Sequence, residues 1–192
     1  CFRNSDSLVE ITLPETVTEI GWGAFNQCRQ LKIVHSLGSV SELQNNTFGW
    51  CENLQSLTIP ATVTYMYAPF GGCPKLTNIV IEDGNNNYFA ENGAIYSTDG
   101  ETLVAYPSAS GEITIDSSVS RIGNCAFFGS NITSLIIPAT VTEIEWEAFS
   151  NCAYLETVDI QANIETIPEW AFCWCRNLKS ITIPASVERI QD

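Results

Sequence analysis

Apolar residues recur along this chain in a repeated unit of about 23 residues. The stretch IPATVTEIEWEAFSNC at 137–152 has the same apolar skeleton as LPETVTEIGWGAFNQC at 13–28. Both match the unit L-x-x-I-x-I-P-x-x-V-x-x-I-x-x-x-A-F-x-x-C-x-x. Self-similarity at this period is the signature of a repeat architecture. The clearest copies begin at Leu8, Leu31, Leu54, Ile132, Leu155 and Leu178.

Each unit predicts a short strand followed by two turns. Ile11 and Leu13 alternate with Glu10 and Thr12, as in a half-buried strand with its apolar side inward. Proline follows the strand in several copies and stops its ladder, because proline has no N–H group. V-x-x-I predicts a second short extended segment, and A-F-x-x-C predicts a turn or a 3₁₀ segment. One unit cannot bury these apolar residues alone, so the units are expected to stack.

The repeated motif resembles the BspA-like leucine-rich repeats, also called the Treponema pallidum type, over nearly the whole chain. The resemblance implies a right-handed solenoid, shaped as a horseshoe or arc, with one parallel β-sheet on the concave face. It also implies a secreted or cell-surface protein that adheres to host matrix proteins or cells. We expect a single solenoid over 1–192, with repeats that start near 8, 31, 54, 76, 112, 132, 155 and 178. Cys1-Phe2 matches the end of a preceding repeat, so the chain is interpreted as a fragment of a longer protein.

Residues 83–111 depart from the unit. AIYS at 94–97 and TLVAYP at 102–107 alternate in polarity around Asp99-Gly100, which predicts an inserted β-hairpin. Two interpretations are open: a structural clasp that bridges two coils, or a binding loop. A similar island is found in bacterial members of the family, and its matches here are Asn85, Tyr88, Gly93, Ile95, Tyr96, Asp99, Gly100, Leu103, Tyr106 and Pro107.

Composition narrows the classes of partner. Eight Lys and Arg stand against 22 Asp and Glu, so the formal net charge is −14. This charge repels phosphate backbones and anionic lipid surfaces, and we therefore expect no nucleic-acid partner. No apolar run approaches the length of about 18 residues that a membrane span needs, so no direct membrane insertion is expected.

The residues that could carry chemistry do not form a site. Five of the eight cysteines occupy one repeat position, where parallel side chains do not converge as a disulfide requires, and we interpret them as buried free thiols. Cys173 and Cys175 lack the second pair of a zinc site. Asp83-Gly84-Asn85-Asn86-Asn87 lacks the turn glycine and closing glutamate of a calcium loop. We therefore expect no metal, no cofactor and no enzymatic activity.

Two surfaces are candidate binding sites. The first is the outward face of the sheet, where His35, the only histidine, is expected at the position equivalent to Thr12. Its candidate residues are Thr12, His35, Thr58, Thr114, Asp159 and Thr182. The second is a flank of tryptophans outside the core positions, which suit contacts with proteins or sugars. This aromatic flank comprises Trp22, Trp50, Trp146 and Trp174.

The sequence thus predicts a non-enzymatic protein-interaction module of an extracellular or cell-surface protein. A protein of the extracellular matrix or of a cell surface is the expected partner, and a glycan is possible. Two alternatives remain open: a structural spacer, and an ancillary glycan-binding domain of a larger enzyme.

Overall fold

A computed structural model describes all residues from 1 to 192. It contains β-strands and turns and no helix. The strands are β1 (Glu10–Leu13), β2 (Ile33–Leu37), β3 (Glu42–Leu43), β4 (Ser56–Ile59), β5 (Tyr65–Met66), β6 (Asn78–Ile81), β7 (Tyr88–Glu91), β8 (Ala94–Ser97), β9 (Thr102–Ala105), β10 (Ser110–Thr114), β11 (Arg121–Ile122), β12 (Asn131–Ile137), β13 (Glu143–Ile144), β14 (Thr157–Ile160), β15 (Thr166–Ile167), β16 (Ser180–Thr182) and β17 (Arg189–Ile190).

The longer strands stack in parallel, one from each coil, and confirm the repeat solenoid. They do not form the single sheet that was expected. One four-stranded sheet has the order β1-β2-β4-β6, and a second has the order β10-β12-β14-β16. The break falls between β6 and β10, where the insertion leads the chain away from the line of the sheet.

The V-x-x-I segments form a second row of two-residue strands. β3 pairs with β5, β15 with β17, and β11 with β13, all in parallel. In all of them except the terminal β17 the apolar residue is buried and its neighbour is more exposed, as in β11, where Ile122 is buried and Arg121 is exposed. This second row adds a second line of buried apolar residues to the core of the inner coils.

The insertion is a three-stranded meander rather than a single hairpin. β8 and β9 are antiparallel across the turn at Asp99-Gly100, as predicted. β7 also pairs with β8, through Asn92 and Gly93, whose φ angles are 50° and 80°. Two successive positive φ angles are typical of the type I′ turn that Asn-Gly favours, so this hairpin was detectable in the sequence. β9 then joins β11 in parallel and returns the chain to the second row.

The A-F-x-x-C segments are chains of short turns, as predicted, and the predicted 3₁₀ segments do not form. The amide of Asn26 donates to the carbonyl of Gly23, and that of Cys28 to Phe25. The residues two before and two after each phenylalanine have left-handed backbone, as at Gly23 and Gln27. Alternation of left- and right-handed residues prevents a continuous helical run. We call this stack of segments the turn row.

The core consists of two clusters that meet at the meander. The first cluster takes Ile95 and Ala105 from the meander, and the second takes Ala94 and Leu103. Stacked phenylalanine rings run through both clusters with centroid distances of 5.1 to 6.1 Å. The meander therefore bridges the two halves, as the clasp interpretation holds.

The repeated cysteines are free and bury their thiols against the preceding coil. Cys51 donates to the carbonyl of Phe25 at 3.1 Å, and Cys73 donates to that of Phe48 at 3.0 Å. Cys28, Cys152 and Cys175 make the equivalent bond at 3.0 to 3.2 Å. The prediction of buried free thiols is thus confirmed at four of the five positions, because Cys175 is only partly buried. The structure contains no helix long and apolar enough to cross a bilayer.

Candidate binding site

The predicted sheet face is divided between the two sheets. Thr114, Asp159 and Thr182 lie in one row across the second sheet, with Ile136 between Thr114 and Asp159. Thr12 and Thr58 belong to the first sheet. The break between β6 and β10 separates the two groups, so the candidate residues do not form one continuous surface.

His35 does not occupy the position equivalent to Thr12. Thr12 pairs with Ser36, and His35 is the extra residue of a β-bulge in β2. The repeat unit would place Ser36 at the inward position of this strand, but the buried apolar residue is Leu37, one position later. The strand takes up the extra residue as a bulge, so that the Leu37 side chain faces the core. The exposed imidazole lies 3.0 Å from the Glu10 carboxylate. His35 is thus partnered on the surface.

The tryptophans of the predicted flank occupy two different repeat positions. Trp22 and Trp146 each stand two residues after the isoleucine of V-x-x-I. Trp22 lies under the guanidinium of Arg3, 5.4 Å from the ring centroid. Trp146 packs against Trp170 of the next coil, with 5.8 Å between centroids. Trp50 and Trp174 instead both stand two residues after the phenylalanine of their coils, on the turn row.

Trp50 and Trp174 line the same open trough, which has a volume of about 660 Å³. Tyr154, Lys75 and Arg176 line it as well, together with asparagines and small residues. Tyr154 and Trp174 are 58% and 59% exposed, and Trp50 is 36% exposed. Sequence reasoning missed Tyr154, Lys75 and Arg176. The available signal was their spacing, since each follows a repeat cysteine by one or two residues.

The trough exists because the coil before the insertion and the coil after it are in direct contact through their turns in the turn row. The amide of Gly72 donates to the carbonyl of Phe128 at 2.9 Å. A Cβ on Gly129 would lie 2.9 Å from the Cα of Gly72, so only glycine permits this approach. Gly129 consequently lines the trough between Trp50 and Trp174. Shortened spacing in the sequence marks both turns, since Leu54 and Leu76 are 22 residues apart and Phe127 is only five residues before Ile132.

Both trough tryptophans adopt a backbone conformation that disfavours them. Trp50 and Trp174 each have a φ of 60°, whereas the coils between them place glycine or asparagine at this position. Left-handed backbone costs a residue with a Cβ roughly 1–2 kcal/mol. The indole of Trp174 gains little from burial in return. Every coil has left-handed backbone at this position, so the strain is set by the repeat, and the two tryptophans are distinguished by their exposure in one trough.

The trough is locally cationic on an acidic molecule. Lys75 donates to the side chain of Asn53 at 2.7 Å, and the Arg176 guanidinium lies 5.2 Å from the Trp174 centroid. Neither cation has a carboxylate partner. Glu52, the acidic residue in the lining, already pairs with Arg29 at 3.8 Å.

A second cavity of about 360 Å³ lies between β5 and the meander. Its polar groups are engaged with one another. Glu145 pairs with Arg121 at 3.2 Å and accepts hydrogen bonds from the backbone and side chain of Asn124. The hydroxyl of Tyr88 accepts from the amide of Met66 at 3.1 Å and so covers the open edge of β5. These interactions join the meander to the solenoid.

The resemblance to a calcium loop at 83–87 is explained by a structural role of Asn85. Its amide nitrogen donates to the carbonyls of Pro60 and Val63 at 3.2 and 2.9 Å. Its oxygen accepts from the amides of Asn87 and Tyr88. Both ends of the side chain are occupied, and Asn85 anchors the start of the meander to the third coil.

Solved structures of leucine-rich repeat proteins share this architecture. A leucine-rich cell surface protein from Faecalibacterium prausnitzii is 26% identical, with a TM-score of 0.72 over 99% of this chain and 61% of that chain. The pneumococcal vaccine antigen PcpA is 18% identical, with a TM-score of 0.69 over 96% of this chain and 63% of that chain. A leucine-rich repeat protein from Eubacterium ventriosum is 20% identical, with a TM-score of 0.55 over 100% and 68%.

The chain therefore spans about three fifths of the length of the first two structures. No curated protein matches the sequence. Six copies of the BspA type leucine rich repeat region match residues 1–102 and 105–192. The repeated turns, the cysteine ladder and this match over almost every residue show that the chain belongs to the BspA-type leucine-rich repeat family.

Proposed function

We propose that this chain is the protein-binding module of a bacterial cell-surface or secreted protein, with a non-enzymatic role in adhesion. Its contact surface is the trough between Trp50 and Trp174. The observation that carries the proposal is the pair of exposed tryptophans on left-handed backbone at opposite ends of one groove. Membership of a repeat family with a cell-surface relative supports the location.

The composition of the trough supports a protein ligand. Trp, Tyr and Arg are the residue types that dominate binding energy in protein interfaces, and Trp174, Tyr154 and Arg176 meet here. Trp174 and Tyr154 lose little conformational entropy on binding, because aromatic side chains have few rotatable bonds.

The sheet face supports this role less well. It is divided by the insertion, and several of its polar side chains bond to one another. Thr157 donates to Ser134 at 2.9 Å, and Asn78 donates to Ser56 at 2.9 Å. A partner on this face would have to compete with those bonds.

The test is binding of the purified chain to a panel of extracellular-matrix and cell-surface proteins and glycans. We expect a protein ligand whose affinity falls at least about tenfold in Trp174→Ala, the size of effect that defines a hot spot. Trp22→Ala is the matched control, because its ring is 58% exposed outside the trough, and it should bind within about twofold of the parent.

A double variant, Thr58→Arg with Thr182→Arg, tests the sheet face in parallel. Loss of a protein ligand in this variant but not in Trp174→Ala would move the site to the sheet. A glycan as the sole ligand would replace adhesion to protein by glycan binding, and absence of any ligand would favour a spacer.

A further inference from the structure

The trough has a length that follows from the stacking of the turns. Trp50, Gly72, Gly129, Asn151 and Trp174 occupy one position in successive stacked turns, because backbone bonds connect each turn to the next. Four steps at the spacing of stacked strands give about 19 Å between the two tryptophan backbones. An extended peptide rises about 3.3 Å per residue, so roughly six residues fit between these ends.

The charges of the trough differ from those of the whole molecule. The chain has a net charge of −14 and only eight Lys and Arg residues. Lys75 and Arg176 both line the trough, and neither meets a carboxylate of the protein. Three of the other six cations, Arg29, Arg121 and Lys179, are bound by glutamates. Two free cations in a groove of an acidic protein form a local attractive site for anionic groups.

Polar groups in the trough are also available. The side chains of Asn131 and Asn151 line it and make no hydrogen bond within the protein. A primary amide offers both a donor and an acceptor, which matches the alternating C=O and N–H groups of an extended peptide. The guanidinium of Arg176 lies over one face of Trp174, 5.2 Å from the ring centroid, which leaves less of the ring for flat stacking by a sugar. The geometry therefore favours a peptide over a glycan.

We infer that the ligand of this trough is an acidic, extended segment of a partner protein, whose carboxylates pair with Lys75 and Arg176 while its apolar side chains pack on Trp50, Tyr154 and Trp174. The inference rests on the proposed protein-binding function and adds the chemistry of the partner. Electrostatic complementarity gives such a site specificity for acidic segments and speeds association.

The test uses three labelled eight-residue peptides in which leucines alternate with Glu, Gln or Lys. We expect the Glu peptide to bind, the Gln peptide to bind at least about tenfold more weakly, and the Lys peptide not to bind. Affinity for the Glu peptide should fall as salt rises from 0.05 to 0.5 M (roughly a threefold shorter screening length).

Charge reversal locates the site. Lys75→Glu and Arg176→Glu should each weaken the Glu peptide at least tenfold. Arg189→Glu is the matched control, since it makes the same charge change outside the trough and should have little effect. Equal binding of the Glu and Gln peptides, or equal loss in Arg189→Glu, would overturn the inference.

Two further outcomes separate the inference from the proposed function. A protein ligand that is lost in Trp174→Ala but insensitive to salt and to charge reversal would retain the proposed function and overturn the acidic partner. A heparin fragment that binds at Lys75 and Arg176 while the Glu peptide does not would also overturn it, in favour of a sulfated glycan.

Discussion

At the scale of single residues, the cysteines show how the repeat uses a small polarizable side chain. Each repeat cysteine donates its thiol to the carbonyl of the phenylalanine in the preceding coil. Most of these carbonyls also accept an amide from their own turn, as Phe25 does from Cys28, so the thiol adds a second donor from the next coil and fills the space beside the stacked rings. Ser130 stands at this position in one coil and contacts the Cys152 sulfur at 3.4 Å. The repeated cysteine thus bonds one coil to the next.

Cys51→Ala should lower the free energy of unfolding by about 1–3 kcal/mol, because it removes the donor to Phe25 and leaves a small cavity. Urea denaturation in reducing buffer measures the change. Cys1→Ala, at an exposed position, is the control and should be neutral. Equal stability of both variants would show that the thiol acts as neither filler nor donor.

Burial also makes stability depend on alkaline pH. It raises the pKa of the Cys28, Cys125 and Cys152 thiols above their ordinary value of 9.0. The unfolded chain therefore loses these protons first, and the stabilisation is fully present below about pH 9 and lost as pH rises toward the folded pKa values. Stability should fall by up to about 1.4 kcal/mol per pH unit for each thiol.

Urea denaturation at pH 8 and pH 10 would show this slope. Cys152→Ala should reduce it, and Cys1→Ala should leave it unchanged. Constant stability across this range would contradict the assignment of the buried thiols as protonated.

At the scale of the elements, the turn row replaces what helices do in other repeat proteins. Of 104 backbone hydrogen bonds, 30 lie within the strands, and the other 74 come from turns, loops and contacts between neighbouring coils. Left-handed residues at two positions per turn direct amides and carbonyls along the stack. Glycine is required only where two turns approach unusually closely, as at Gly72 and Gly129.

Gly129→Ala should destabilise the protein more than Gly111→Ala. Both glycines have left-handed backbone, with φ of 69° and 71°, so both substitutions carry a similar strain of about 1–2 kcal/mol. A Cβ meets nothing within 4 Å at Gly111 but lies 2.9 Å from Gly72 at position 129. Overpacking should add about 1–3 kcal/mol there. Thermal unfolding of the pair measures the difference, and equal losses would show that the two turns are not in tight contact.

At the scale of the whole molecule, the meander decides whether two halves behave as one. Stability in a solenoid is approximately a sum of coil terms and interface terms between neighbours. Here the main sheet is interrupted, so the interface between halves depends on the meander residues in the two clusters and on the docked turns.

Ile95→Ala should both destabilise the protein, by about 2–5 kcal/mol, and split its unfolding into two transitions, because Ile95 is fully buried at the joint. Scanning calorimetry measures both effects. Leu57→Ala, buried within a regular coil, is the control and should lower the midpoint of a single transition. A single transition in Ile95→Ala would mean that the docked turns alone couple the halves.

Local patterns in the sequence determined most of the coil architecture. Period, strand polarity, the cysteine ladder and the Asp99-Gly100 hairpin follow from residues that are close in sequence, and these were predicted. The bulge at His35 was missed because a uniform 23-residue register was imposed on a coil whose inward residue is Leu37. The Asn92-Gly93 hairpin was missed although its turn residues are a local signal.

Tertiary structure alone decided the division of the sheet and the composition of the trough. Trp50 and Trp174 are 124 positions apart, and they share a groove because an insertion loops out and two glycine turns dock across it. Repeat spacing orders residues within a stack, but it does not tell which coils become neighbours when the stack is interrupted. That choice depends on backbone approach at Gly72 and Gly129, which is a property of the packed coils.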